Sequence, residues 1–243
     1  MELNLRGGVI VIGSLYWENI KIRKDWRDNC LSKKQGVKIA LPMRYGRISS
    51  TRHNTYTMVL SMNCPKPGVG YAIPFSKLTT TVEDLKRQSL TVASAERNEK
   101  YNSKLDWDWG ALGILLNPGL ASRDLDLKAL KDSWTAWHST NFSHAKYKLG
   151  KTEEPSIDKT GTLLFEWPKE VDLDFLVATV IEPNVKRYPS AKQIANAMYH
   201  ASCYNYFIQN RQSGIETFQD EEVLQLLKTK YNLTSYLHEN GIA

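Results

Sequence analysis

The feature that most constrains this chain is Val9-Ile10-Val11-Ile12, which runs without a break into Gly13-Ser14 and then Leu15-Tyr16-Trp17. β-Branched residues crowd a helix and fit a pleated strand, and an unbroken run of them fits a strand covered on both faces. Gly13 has no Cβ, so the backbone can turn sharply there and approach a small molecule closely. The peptide N–H groups around Ser14 could then hold an anion or a developing negative charge. Two readings share this pattern: a buried strand that stops at a ligand site, and an ordinary strand and turn.

With 243 residues, 42% hydrophobic and 24% charged, the chain has the composition of a folded globular protein, and we expect one domain over residues 1–243. The longest apolar runs are a few residues, too short for a membrane span or a secretory h-region, so a cytoplasmic location and no membrane partner are expected. Cys30, Cys64 and Cys203 are odd in number and widely spaced, which fits reduced thiols and no zinc or disulfide framework. The glycosylation patterns at Asn141 and Asn232 mean nothing without export. A net charge of +6 allows an anionic partner. Yet the basic residues are dispersed, densest at Lys21–Arg27, Lys33-Lys34 and Arg44, Arg47 and Arg52, which argues against nucleic acid.

After the opening strand, the charged stretch from Ile20 to Asn29 gives way to an extended segment at Val37–Pro42. Strand formers at residues 54–61, a turn at Cys64-Pro65-Lys66-Pro67-Gly68 and a strand at Val69–Pro74 read as a hairpin over residues 55–74. From Thr81, the spacing of Val82, Leu85, Leu90 and Val92 predicts a helix capped by Thr81, with Asp84 in its first turn and Glu96 at or just past its end. Ala111–Leu116 and Phe175–Ile181 read as strands. Ser190 and Gln193 form a capping box ahead of a helix whose apolar face runs from Ile194 to Ile208, and a last helix covers residues 220–230. Residues 119–172 are more polar and read as an insertion.

Several tempting motifs fail their structural requirements. Asp158-Lys159-Thr160-Gly161-Thr162 resembles a phosphorylated-aspartate loop, but Glu153-Glu154-Pro155-Ser156-Ile157 cannot form the buried strand that must precede one. Gly68-Val69-Gly70 opens a strand, whereas a dinucleotide fingerprint opens a helix. The five histidines show no helical metal pair, and no serine sits in a nucleophile elbow. Trp107, Trp109, Trp134 and Trp137 fit packing better than base stacking.

Taken in order, the remaining segments resemble the γ-glutamylcyclotransferase family, most closely its ChaC-type branch, which acts on glutathione. The matching pieces are Ile12-Gly13-Ser14-Leu15 with Trp17, Gly46-Arg47, residues 55–61, and Gly68-Val69-Gly70-Tyr71-Ala72. Glu96 and Tyr101 follow, with Glu99 as the other candidate for the family's glutamate. The match resumes at residues 178–184 with Tyr188, then Ile194-Ala195, Gly214-Ile215 and Asp220–Val223. Ile12 stands where the family has Tyr, and Ala95 where the glutathione-acting branch has Arg. The resemblance implies an α+β fold, a small mixed β-barrel flanked by helices, with residues 119–172 inserted.

It also implies a reaction. In this family the α-amine of a γ-glutamyl group attacks its own γ-carbonyl, giving 5-oxoproline and the released amine, with no metal or other cofactor. Glu96 would be the general base and acid, and for that burial must lift its pKa toward neutrality. The amides of Gly13, Ser14 and Leu15 would bind the substrate and its oxyanion, Arg47 and Arg52 a substrate carboxylate, and Tyr101 and Tyr188 would line the pocket. The alternative is an inactive member of the same fold that binds a small molecule, a protein or a nucleic acid, with residues 119–172 as its surface.

Overall fold

β-Branched and small residues crowd into the strands that make the centre of the molecule. We describe a computed structural model over residues 2–99, 110–123, 125–142 and 155–242. β1 (Glu2–Leu5) leads into β2 (Gly7–Val11), every residue of which is buried. One helical turn, α1 (Ser14–Trp17), and α2 (Lys21–Cys30) follow, then β3 (Val37–Leu41), β4 (Met43–Ser49), β5 (Thr55–Leu60), β6 (Gly68–Pro74) and β7 (Thr79–Thr81). α3 (Val82–Arg97) precedes β8 (Gly110–Leu116), α4 (Leu127–Asn141) and β9 (Phe175–Ile181). Four helices close the described chain: α5 (Ala191–Ala201), α6 (Asn205–Gln212), α7 (Asp220–Thr229) and α8 (Thr234–Glu239).

The result is a mixed α+β fold whose main sheet has five strands in the order β3-β6-β2-β9-β8. β2 lies at its centre, antiparallel to β6 and parallel to β9. Val9 and Val11 have no exposed surface, as expected of a strand covered on both faces. β1 pairs with β7, and β4 pairs with β5, as two separate ribbons. The β4–β5 register slips between Tyr45 and Arg47, a bulge of the kind that re-aims the side chain after it. Gly46 sits in that slip, where a Cβ would come within 2.6 Å of Val59 and 2.8 Å of the Tyr188 ring.

The expected hairpin over residues 55–74 does not form. β5 pairs with β4, while β6 fills the place between β2 and β3. The connection from Ser61 to Pro67 carries two prolines, which lack the N–H a tight turn would use, and it is long enough to carry the chain to another sheet. The expected apolar helix face from Ile194 to Ile208 is also interrupted. α5 stops at Ser202, whose left-handed φ of 46° lets its N–H and that of Cys203 bond back to Tyr199 and Met198, and α6 then restarts.

α2 forms where the sequence reads only as a charged stretch. Its outer face carries Lys21–Asp25 and Lys24–Asp28 pairs at i,i+4, and its inner face buries Arg23, Trp26 and Arg27. α3 begins with the foreseen capping box: Thr81 Oγ1 accepts from the Asp84 N–H at 3.0 Å, and Asp84 Oδ2 accepts from the Thr81 N–H at 3.1 Å. The described parts of residues 119–172 share the core through Leu120, Leu130, Trp134, Phe142, Ile157 and Leu163. They bond to β8 through the Ile114 N–H to Gly161 and the Leu163 N–H to Ile114. Asp158 Oδ1 accepts from the N–H and hydroxyl of Thr160 and from the Thr162 N–H, so it shapes its own turn.

Candidate active site

Where β2 ends, the chain opens a cavity of about 510 Å³. Ile12 and Ser14 form one wall, Arg47 through Arg52 and residues 57–60 of the β4–β5 ribbon another, and Thr179, Ile181 and Asn184 the end beyond β9. Glu96 from α3, Arg23 from α2 and Tyr206 from α6 complete it. It thus draws on segments up to 194 positions apart, from residue 12 to residue 206.

Gly13 has φ +63° and ψ −143°, a conformation that residues with side chains rarely adopt, and a Cβ there would collide with the Tyr206 hydroxyl. The turn this glycine permits sends Ser14 to the cavity and Leu15 to the core, where Leu15 is 2% exposed and its carbonyl accepts from Arg27 Nη1 at 2.8 Å. The expectation that Gly13, Ser14 and Leu15 all face a ligand is therefore corrected: of the three, Ser14 lines the cavity, and its neighbours place it. Ser14 and Leu15 open a helical turn, so their N–H groups have no carbonyl within that turn to bond.

Arg23 joins this turn to the end of α3. Its Nη1 donates to Ser14 Oγ at 2.7 Å and to the Glu18 carboxylate, its Nε to the Ala95 carbonyl at 3.0 Å, and its Nη2 to the Glu96 carbonyl at 2.9 Å. Only 7% exposed, it bonds two carbonyls of the helix C-terminus, where carbonyls lack partners further along the helix. Sequence reading missed it. The signal was present: Arg23, Trp26 and Arg27 fall at i, i+3 and i+4, on the face of α2 opposite its surface ion pairs.

The Glu96 backbone is thus fixed while its side chain is not. Among the described residues, neither carboxylate oxygen of Glu96 has a hydrogen-bond or ion-pair partner, and both belong to a group that lines the cavity. Burial pushes its pKa above the ordinary carboxylate value, and Glu18 adds to this; the guanidinium groups of Arg23, Arg52 and Arg47 oppose it. Arg47 donates to the Glu182 carbonyl at 3.3 Å, and burial lowers its pKa. Arg52 lies 3.4 Å from the second Glu18 oxygen and over the Tyr206 ring, 4.9 Å from its centre.

The other glutamate considered, Glu99, is exposed and paired with Arg97 at 3.1 Å, outside the cavity. Tyr188, expected in the pocket, is not among its lining residues. Its ring packs on Gly46, where a Cβ would come within 2.8 Å of it, and takes the Arg44 guanidinium 3.9 Å from its centre. Tyr101, Trp107 and Trp109 lie outside the described residues. Trp134 is buried and donates to the Gly161 carbonyl at 3.1 Å, a packing role.

Among the described residues there is no group of three histidine, cysteine or acidic side chains placed to hold a metal ion, and no helix is long and apolar enough to cross a membrane. Comparison of the chain with protein-family models, with curated proteins and with solved structures finds no match.

Proposed function

We propose that this protein is a γ-glutamylcyclotransferase-like enzyme that closes a γ-glutamyl group to 5-oxoproline and releases the attached amine or peptide. The observation that carries the reading is the raised-pKa carboxylate of Glu96, which has no hydrogen-bond or ion-pair partner among the described residues and lines the same cavity as Ser14 and three arginines. A carboxylate left without a partner in a partly dry site is suited to exchange protons with a ligand. We take the five-stranded sheet, with the β4–β5 ribbon beside it, as the mixed β-barrel with flanking helices that the resemblance implies.

Glu96 takes one proton from the substrate α-ammonium. The freed amine attacks the γ-carbonyl carbon, a C–N bond forms, and the carbonyl electron pair moves to oxygen. As that pair returns, the bond to the leaving nitrogen breaks, and Glu96 delivers its proton there. The extra proton on the ring nitrogen passes to the released amine, so 5-oxoproline and a protonated amine leave with no net proton exchanged. Arg47 and Arg52 supply charge for a substrate carboxylate, and the cavity holds the chain curled for ring closure.

The test is to incubate the protein and its Glu96→Gln variant with γ-glutamyl amino acids, glutathione and γ-glutamylalkylamines, and to measure 5-oxoproline. Release by the wild type and not by the variant is expected. Release by neither supports a fold that binds a ligand without turning it over.

A further inference from the structure

The Tyr206 hydroxyl stands where the cavity wall is most constrained. It touches Gly13 so closely that no side chain fits there, between two residues, Ile12 and Ser14, that line the cavity. The backbone N–H of Met58, another lining residue, donates to this hydroxyl at 3.2 Å. A phenol oxygen that accepts a bond from an amide still carries its own proton, and among the described residues no acceptor takes it. The Arg52 guanidinium holds the ring from its face, and the Trp17 ring meets it edge-on at 6.1 Å between centres. A donor fixed on three sides, with its proton unspent, is preorganised for an oxygen atom that arrives with a ligand.

We propose that Tyr206 donates this proton as a hydrogen bond to the γ-carbonyl oxygen of the substrate and holds the negative charge that collects there during ring closure, an assignment that rests on the cyclotransferase reading of the cavity. The proton is shared and not transferred: the hydroxyl keeps it while the attacking amine forms its bond, and the oxygen's electron pair re-forms the carbonyl as the bond to the leaving nitrogen breaks. Burial keeps the phenol protonated by raising its pKa. Arg52, Glu96 and Tyr45 are the ionisable groups that act on it.

The experiment compares wild type with Tyr206→Phe, which retains the ring and its contact with Arg52. With the best substrate of the panel above, kcat should fall about 10²–10³-fold with KM little changed, as for loss of one donor to an oxyanion. A second variant carrying 3,5-difluorotyrosine at position 206 keeps both ring and hydroxyl but is a stronger acid. Its alkaline limb of kcat should move to lower pH, while the acid limb set by Glu96 stays in place.

Turnover by the wild type with unchanged kcat in Tyr206→Phe, or an unmoved alkaline limb, overturns the assignment and leaves the cyclotransferase reading intact. Should the wild type release no 5-oxoproline yet bind added 5-oxoproline in calorimetry, with affinity lost in Tyr206→Phe, the donor stands and the cyclisation falls. A protein that neither releases nor binds 5-oxoproline overturns both.

Discussion

Helix α3 has a cavity at each end, and the two make an instructive pair. The one near its N-terminus, about 560 Å³, is lined by Cys30, Phe75, Leu78, Asp84, Gln88 and Thr91 among others. There the polar groups satisfy one another. Asp84 accepts from Thr80 and Thr81 and pairs with Arg87; Gln88 accepts from Thr79 at 2.7 Å and donates to the Lys77 carbonyl at 3.1 Å; Thr91 Oγ1 donates to the Gln88 carbonyl and accepts from Trp26. The cavity near the C-terminus is of similar size, but Glu96 and Tyr206 leave an acceptor and a donor unspent in it. Volume alone makes a hollow; groups that the fold leaves unsatisfied make a place for a ligand.

The largest effect should come at the C-terminal cavity. Glu96→Gln should lower 5-oxoproline release about 10²–10⁴-fold, measured on the γ-glutamyl panel, because it removes the one carboxylate that lines that space among the described residues. Next is Arg23→Ala, which strips the Glu96 carbonyl of its Arg23 donor, leaves Ala95 with the Asn98 N–H and leaves Glu18 with Arg52. A loss of about 1.5–3 kcal/mol in urea denaturation is expected, as for removal of charge-assisted hydrogen bonds at a largely buried site.

At the other end, Thr81→Ala removes a helix cap and should cost about 1 kcal/mol while leaving 5-oxoproline release unchanged. Smallest of all, Cys30→Ser should alter neither activity nor melting temperature measurably, although Cys30 lines a cavity of similar size. Loss of activity in Cys30→Ser would break the contrast.

The two ends should also differ in the sign of their pH dependence. Glu96 has its pKa raised above the ordinary 4.5, so its contribution to stability is fully present below that value and is lost as pH rises through the folded pKa. Asp84 has its pKa lowered from 3.8 to about 2 by its bonds to Thr80, Thr81 and Arg87, so its contribution is present above 3.8 and is lost as pH falls toward 2. Urea denaturation across pH 2–8 should therefore show Glu96→Gln more stable than wild type at neutral pH. Asp84→Asn should show a flattened acid-side decline. Equal slopes in the two variants would overturn the contrast.

What the sequence could reveal follows the range of the forces involved. Strand propensity in Val9–Val11, Ala111–Leu116 and Phe175–Ile181, and the capping boxes at Thr81 and Ser190, are local, and these elements stand where expected. The hairpin over residues 55–74 failed because pairing depends on β2, more than forty positions away. The i,i+4 ion pairs of α2 were readable but passed over. Glu96, Ser14, Arg47 and Arg52 share one cavity, whereas Tyr188 packs against Gly46 and Arg44 instead. Arg23 and Tyr206 escaped because what singles them out is a contact with distant backbone, Glu96 in one case and Gly13 and Met58 in the other.

The parallel pairing of β2 with β9, and the meeting of Gly13 with Tyr206, also set when the cavity can first exist. On a ribosome adding about 5–20 residues per second, the opening strand waits roughly 10–40 s for its last neighbours to be made. Through that interval Gly7, Gly8 and Val9 lack the β9 partner that covers one edge of their strand. A nascent chain halted before residue 206 has Arg23, Arg47, Arg52 and Glu96 of the cavity but lacks the Tyr206 wall, so activity should arrive late and all at once during synthesis.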